Sequence, residues 1–258
     1  MTKLFTIEND PKTVKGHARG YMTAVMYLAP YDLSGVNICA LAELAGCKEG
    51  CLKTAGRGGM AKGNATFLAP NGDTLPDNAI QRARLERTRL FHESRDVFMA
   101  RMVREIENFK KRAARDGLTP VVRPNGTSDI AFENIPCKRA GIEYPNIFAA
   151  FPEIQFYDYT KIPTRKVTRI PNYRVTFSYS HRPEFAPIIV KALKNYGSAV
   201  NFAAVFYGGL PETFLGRRVI NGDESDLRFL DDSNVVVGLK AKGRARRDRS
   251  GFVVQMAA

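Results

Sequence analysis

The chain has no tryptophan, three histidines and four cysteines among its 258 residues. No stretch approaches the roughly 18 uninterrupted apolar residues of a membrane-spanning helix. The opening Met1-Thr2-Lys3-Leu4-Phe5 carries no apolar signal-peptide core. The expectation is therefore a soluble protein of the cytoplasm with no membrane partner. Several motifs are missing too: G-x4-G-K-[ST], G-x-G-x-x-G, H-E-x-x-H and G-x-S-x-G. Their absence sets aside P-loop nucleotide binding, the dinucleotide fingerprint, zincin proteolysis and the hydrolase nucleophile elbow. No linker or low-complexity tract interrupts the chain. One domain over 1–258 is expected, with a leading segment 1–20 and a basic C-terminal segment 240–258.

Charge is what the chain has in excess. Thirty-nine Lys and Arg against 26 Asp and Glu leave a formal net charge of +13. Such an imbalance attracts polyanions, which points to nucleic acid or a nucleotide as partner; a merely solvated basic surface is the plain alternative. The densest basic run is Lys240, Lys242, Arg244, Arg246, Arg247 and Arg249, for which non-specific phosphate contact is the natural role. A 44% hydrophobic content is ordinary for a chain with a real core. Oligomeric state is not legible from any of this.

Three of the cysteines fall in one short stretch. Cys39, Cys47 and Cys51 are spaced C-x7-C-x3-C, with Gly35, Gly46 and Gly50 at the bends and Gly56-Arg57-Gly58-Gly59 following. In a reducing compartment, clustered cysteines bind metal or do chemistry more often than they form disulfides. The spacing suits three outcomes. One is an iron–sulfur cluster on three thiolates. Another is a structural zinc with Cys137, His17, His92 or His181 as fourth ligand. The third is unligated thiols. Cys137, between Pro136 and Lys138, reads as a lone thiol.

The pattern along the chain is α/β. Tyr21 to Ala29 is a short apolar run rich in β-forming residues and reads as a buried strand running into the cysteine loop. Ala40 to Ala45 permits one helical turn. Thr74-Leu75-Pro76-Asp77 reads as a helix start. One long helix is then expected to Asp116, ended by Gly117, with a possible break at Ser94. Phe91, Phe98, Met102, Ile106 and Phe109 form its buried stripe. Strands are expected at Leu118–Arg123, Glu153–Tyr159, Tyr173–Tyr179, Ala199–Phe206, Arg217–Ile220 and Val235–Leu239. Short helices are expected near Asn146–Phe151 and over Glu184–Tyr196. Strands alternating with crossovers predict a mainly parallel sheet, and here the class expected is a partial (β/α) TIM-like barrel. In such folds function gathers at the C-terminal strand ends. Several strands end in polar clusters: the cysteines, Asn125-Gly126-Thr127-Ser128-Asp129, Asp158-Tyr159-Thr160-Lys161, Ser178-Tyr179-Ser180-His181-Arg182 and Asn221 to Asp226. The N-G-T-S-D run fits an ordinary Asx turn equally well. Lys161 suits a phosphate or carboxylate, or plain solvent exposure.

The strand with its Cys39, Cys47, Cys51 loop, then Arg123 to Asp129, then Phe156 to Lys161 and the strand from Tyr173 resemble, in that order, a phage-encoded family of unknown function, the gene-product-88-like proteins. That resemblance covers about residues 20–180. The layout is also similar to radical S-adenosylmethionine (SAM) enzymes. In those, a three-cysteine loop follows the first barrel strand and later strand ends bind the cosubstrate. The resemblance implies a [4Fe–4S] cluster on Cys39, Cys47 and Cys51, with one iron open to SAM. It implies SAM contacts from Arg123, Ser128 and Asp129; Asn125 beside them and Lys161 at its strand end are further cofactor-binding candidates. The basic surface suggests that such a radical enzyme would act on nucleic acid or a nucleotide in the host cytoplasm. The chain departs from that pattern in its C-x7-C-x3-C spacing and in having Asn125 to Asp129 where Gly-Gly-Glu is usual. The alternative is a non-enzymatic nucleic-acid-binding protein with a zinc held by the cysteines.

Overall fold

The computed structural model describes residues 2–8, 11–51, 53 and 56–256. In chain order its elements begin with β1 (Phe5–Ile7), α1 (Pro11–Val14), β2 (Tyr21–Met26), α2 (Cys47–Gly50), β3 (Thr66–Leu68) and β4 (Thr74–Pro76). Next come α3 (Ala79–Glu93), α4 (Arg95–Arg115), β5 (Thr119–Arg123), β6 (Cys137–Arg139), β7 (Ile142–Tyr144), α5 (Ile147–Ala150) and β8 (Gln155–Thr160). The remainder are β9 (Tyr173–Ser178), α6 (Ala186–Tyr196), β10 (Asn201–Tyr207), β11 (Thr213–Phe214), β12 (Arg217–Asn221), β13 (Val236–Lys240) and β14 (Val254–Gln255). The class is mixed α/β with a mostly parallel sheet. The chain falls into two compact units, Met1–Ala40 with Leu52–Phe156, and Leu41–Cys51 with Tyr157–Ala258.

In the first unit β2 pairs in parallel with β5, Tyr21 opposite Thr119 and Val25 opposite Arg123. The start of β8 continues the ladder beside β5, and β1 closes the other edge antiparallel to β2. The strand expected over Tyr21–Ala29 ends at Met26, where the chain turns out into the loop that carries Cys39. The single long helix is two. Ser94 sits at φ −144°, ψ 65°, outside helical geometry, and closes α3 while opening α4. Across that break Phe91 and Phe98 meet edge to face, ring centres 5.1 Å apart, so the apolar stripe stays continuous. Thr74-Leu75-Pro76 does not start the helix. It forms β4, paired antiparallel with β3. The helix starts at Ala79, capped by the Asn78 side chain, which accepts from the Gln81 amide at 2.9 Å.

Polar contacts brace this unit at two places. The Lys53 ammonium, buried at 5% exposure, donates to the Tyr31 hydroxyl and to Asp73 at 2.8 Å. Tyr31 itself donates to the same carboxylate at 2.6 Å. The hydrogen bond from Lys53, then that from Tyr31, holds the Asp73 carboxyl down at about 2. At the second place Arg139 and Lys110 converge on Glu153. Burial there pushes the carboxyl up, but the two cations outweigh it and bring it to about 2.

Both folded-state values lie below the ordinary 3.8 and 4.5 of Asp and Glu. Their stabilisation is complete above those ordinary values and is lost as pH falls toward about 2. Urea midpoints measured from pH 6 downward should therefore stay level and then drop below 4.5. In Asp73→Asn the acid limb should be shallower.

In the second unit β9, β10, β13 and β12 pair in parallel, with Phe202 opposite Val236 and Val219 opposite Val236 on its other side. β14 adds in parallel to the end of β10, and β11 hairpins onto β12. Its core is aromatic: Phe177 lies 5.1 Å from Phe202 and 6.3 Å from Phe185 by ring centres. The helix expected from Glu184 begins as α6 at Ala186, after a short 3-10 turn over Pro183–Phe185.

Candidate functional site

In-register pairing of β2 and β5 sets their C-terminal ends side by side in the first unit. From there the N-G-T-S-D loop folds back on the chain leaving β2. The Gly126 amide donates to the Met26 carbonyl at 2.9 Å, and the Thr127 hydroxyl donates to the Leu28 carbonyl at 2.5 Å. Only glycine fits at 126: a Cβ there would stand 2.7 Å from the Tyr27 ring and 2.8 Å from the Met26 oxygen. Asn125 is buried at 2% exposure and organises its own loop. Its Oδ1 accepts from the Ser128 hydroxyl at 2.7 Å and the Ile130 amide at 2.9 Å, and its Nδ2 donates to the Ile130 carbonyl at 3.0 Å. These bonds reach three and five residues on, so Asn125 braces the whole loop while Arg123, Ser128 and Asp129 are half-buried at its rim.

Cys39 is seated on this loop. The Asp129 amide donates to the Ile38 carbonyl at 3.0 Å, and the Cys39 thiol lies 3.6 Å from the Thr127 carbonyl. The Asn37 side chain accepts from the Cys39 amide at 2.9 Å. Four of the residues singled out from sequence, Cys39, Asn125, Ser128 and Asp129, are thus joined through one set of short contacts.

Cys47 and Cys51 belong to the second unit. The one turn expected between Cys39 and Cys47 is there, the Ala45 amide donating to the Leu41 carbonyl at 2.9 Å, and it leads into α2, which Cys47 opens. Gly46 precedes it at φ 67°, and its carbonyl accepts from the Ser250 hydroxyl at 2.7 Å. Ser180, just beyond β9, donates to the Ala45 carbonyl at 2.6 Å, and Arg182 donates to the Glu43 carbonyl at 2.9 Å. Cys47 packs against Ala241, Ala245, Phe252 and Val253, with its thiol 3.6 Å from the Ala42 carbonyl.

Lys161 follows β8 and is buried. Its ammonium donates to the Ser178 hydroxyl at 2.7 Å and lies 4.8 Å from the centre of the Phe252 ring. Tyr179 and His181 form a pair, hydroxyl to Nδ1 at 3.1 Å, and burial pushes the Tyr179 phenol up. Asp226 is turned inward to accept from the Tyr157 hydroxyl at 2.8 Å.

Among the described residues no group of three or more His, Cys, Asp or Glu stands so as to hold a metal ion. None of the four cysteines is in a disulfide. Cys137 lies buried on β6, where burial pushes its thiol up to about 11, so it stays protonated at neutral pH. Of the candidate fourth ligands, His17 is engaged with Glu8. The Tyr31–Lys53–Asp73 group and the Arg165–Tyr173–Asp158 chain, the latter at 2.8 and 3.0 Å, had no sequence signal beyond the turn at Asn71 and the alternation of faces along β8.

These features define a mixed α/β protein whose parallel strands empty, at their C-terminal ends, into polar and cysteine-bearing loops. The chain matches the family model described as Gene product 88 over residues 3–256, and it belongs to that family. No curated protein and no solved structure matches it.

Proposed function

We propose that the chain is an iron–sulfur protein in which Cys39, Cys47 and Cys51 supply three thiolates, as its resemblance to radical SAM enzymes implies. The seat of Cys39 supports this best: a cysteine and a strand-end loop 88 residues further along are drawn into direct contact. The donors suit iron and sulfide, being soft thiols outside any disulfide. They do not stand as an assembled ion cage. Metal uptake would therefore gather them, and loop ordering and metal binding would be one event. When bound, such a cluster would offer an open iron to the amino and carboxylate groups of SAM. On the protein side Asn125 shapes the loop, and Arg123, Ser128 and Asp129 stand half-buried at its rim, where the resemblance implies contacts to that cosubstrate. Lys161 joins the proposal more weakly, because its ammonium is held by Ser178. Beyond the mostly parallel sheet, we propose the partial (β/α) barrel: β2, β5 and β8, then β9, β10 and β13, follow one another in chain order. Nucleic acid or a nucleotide is the proposed substrate class.

The second reading is a non-enzymatic nucleic-acid-binding protein with a structural zinc. It is favoured by Cys47 opening and Cys51 following the short helix α2, which is docked against the arginine-rich segment.

Anaerobically purified protein is expected to be brown and to carry iron and sulfide. Cys39→Ala should lose the colour and nearly all the iron while the thermal melt of the metal-free protein stays unchanged. Colourless protein with about one zinc per chain overturns the cluster and favours the second reading. Formation of 5′-deoxyadenosine from SAM under reductant tests the enzyme; iron-loaded protein that forms none keeps the cluster and removes SAM.

A further inference from the structure

Beyond β13 the chain enters a 3-10 turn over Gly243–Arg247 in which Ala245 alone turns inward. Ala245, Ala241, Phe252 and Val253 make a small apolar underside, so the basic residues between them face outward. In a 3-10 turn residues three apart eclipse, which lines up Arg244 and Arg247 with their Cα atoms about 6 Å apart. Arg249 continues the row. These three, all exposed, line one groove of the second unit together with Glu49, Gly50 and Ser250. Among the described residues Arg244, Arg247 and Arg249 enter no ion pair. The neighbouring cations are committed elsewhere: Lys242 pairs with Asp223 at 2.6 Å, and Arg246 reaches the Ala241 carbonyl. Asp248, the acid within the row, has both oxygens turned to the protein. Oδ1 accepts from Ser250, and Oδ2 accepts from the Val253 amide at 3.0 Å.

We infer that Arg244, Arg247 and Arg249 form a binding site for the phosphodiester backbone of nucleic acid. The guanidinium fork matches phosphate oxygens bidentately, and a row of such forks along a groove suits a ligand that repeats its charge at short intervals. An anionic membrane fits less well, because the apolar side chains of this segment are spent on the underside and leave nothing to enter a bilayer. The contact is to backbone and carries no base specificity. The inference deepens the nucleic-acid part of the proposed function by giving it a surface, and it does not depend on what the cysteines bind.

The test is binding of a labelled 20-nucleotide DNA, single-stranded and as duplex, by the full chain between about 50 and 200 mM salt. Arg244→Gln/Arg247→Gln/Arg249→Gln removes three phosphate partners. The slope of log K against log salt should become shallower by about 2–3, at roughly 0.7–0.9 per phosphate, and affinity at low salt should fall at least tenfold. A second variant, Arg89→Gln/Arg104→Gln/Lys111→Gln, removes the same charge from the exposed helix surface and should change the slope little. Equal effects of the two variants would mean that overall charge, not this groove, does the binding, and would overturn the inference. Loss of binding to phosphatidylserine vesicles with DNA binding unchanged would also overturn it. Thermal melts of both variants confirm that the fold is retained, and iron content, read separately, reports on the cluster alone.

Discussion

Arg228→Ala is expected to destabilise the second unit by about 3–5 kcal/mol, the cost of breaking a buried ion pair from one side. Arg228 is 1% exposed and lies in the 3-10 turn Arg228–Leu230. It faces Asp231 at 3.2 Å, whose side chain is 11% exposed, and donates to the Ser225 carbonyl. Gly222 leaves the space for it, since a Cβ there would come within 3.1 Å of the guanidinium and 2.3 Å of Val237. Alanine would leave the Asp231 carboxylate buried beside an empty volume, so charge and packing are lost together. Urea unfolding reads the loss. Arg228→Met/Asp231→Leu, which removes both charges and keeps the volume, should recover much of it, because the pair owes little net stability to its charges. A single-mutant loss under 1 kcal/mol would show that water reaches this site freely.

Gly126→Ala should cost about 1–3 kcal/mol by overpacking, and it should loosen Cys39. The methyl would meet the Tyr27 ring at 2.7 Å and the Met26 carbonyl at 2.8 Å. The ring can swing aside, but the carbonyl belongs to the end of β2 and accepts the Gly126 amide. The loop must therefore move, taking with it the Thr127 carbonyl and the Asp129 amide that seat Cys39 and Ile38. Two readouts should change together: the melting temperature falls and native-state alkylation of Cys39 accelerates. Under the cluster proposal iron retention should fall as well. A variant with unchanged alkylation and wild-type stability would mean that the loop is not the seat described.

The parts of this fold that were legible in the sequence are those whose signal is local. The parallel strands β5, β8, β9, β10, β12 and β13 each hold a short run of β-forming residues, and those runs announce themselves within a residue or two of the observed ends. The contact between Cys39 and the loop of Asn125 to Asp129 was legible as two strand ends of one sheet, although spacing could not say that Asn125 would be consumed by the loop itself. Other features were decided by partners distant in sequence. Thr74-Leu75-Pro76 carries a plausible helix start, yet pairing with Thr66 to Leu68 turns it into a strand. Lys161 reads as an available cation, but Ser178, 17 residues on, and the Phe252 ring near the end of the chain take it up. Lys53 and Asp73 stand 20 residues apart, and nothing near them in sequence says that they meet at Tyr31, with Lys53 buried and Asp73 half-buried.

The placement of α2 also bears on when the protein becomes whole. The segment Leu41–Cys51 is made early, yet its anchors are Ser180 and Ser250, 135 and 204 residues later. At a synthesis rate of about 5–20 residues per second, Gly46 waits roughly 10–40 s for Ser250 to be made. Closing contacts of such long sequence separation is slow. Through that interval the thiols of Cys47 and Cys51 have no docked helix to shelter them. They are then at their most open to oxidation, and under the cluster proposal this interval is when soft metal would reach them before the segment docks.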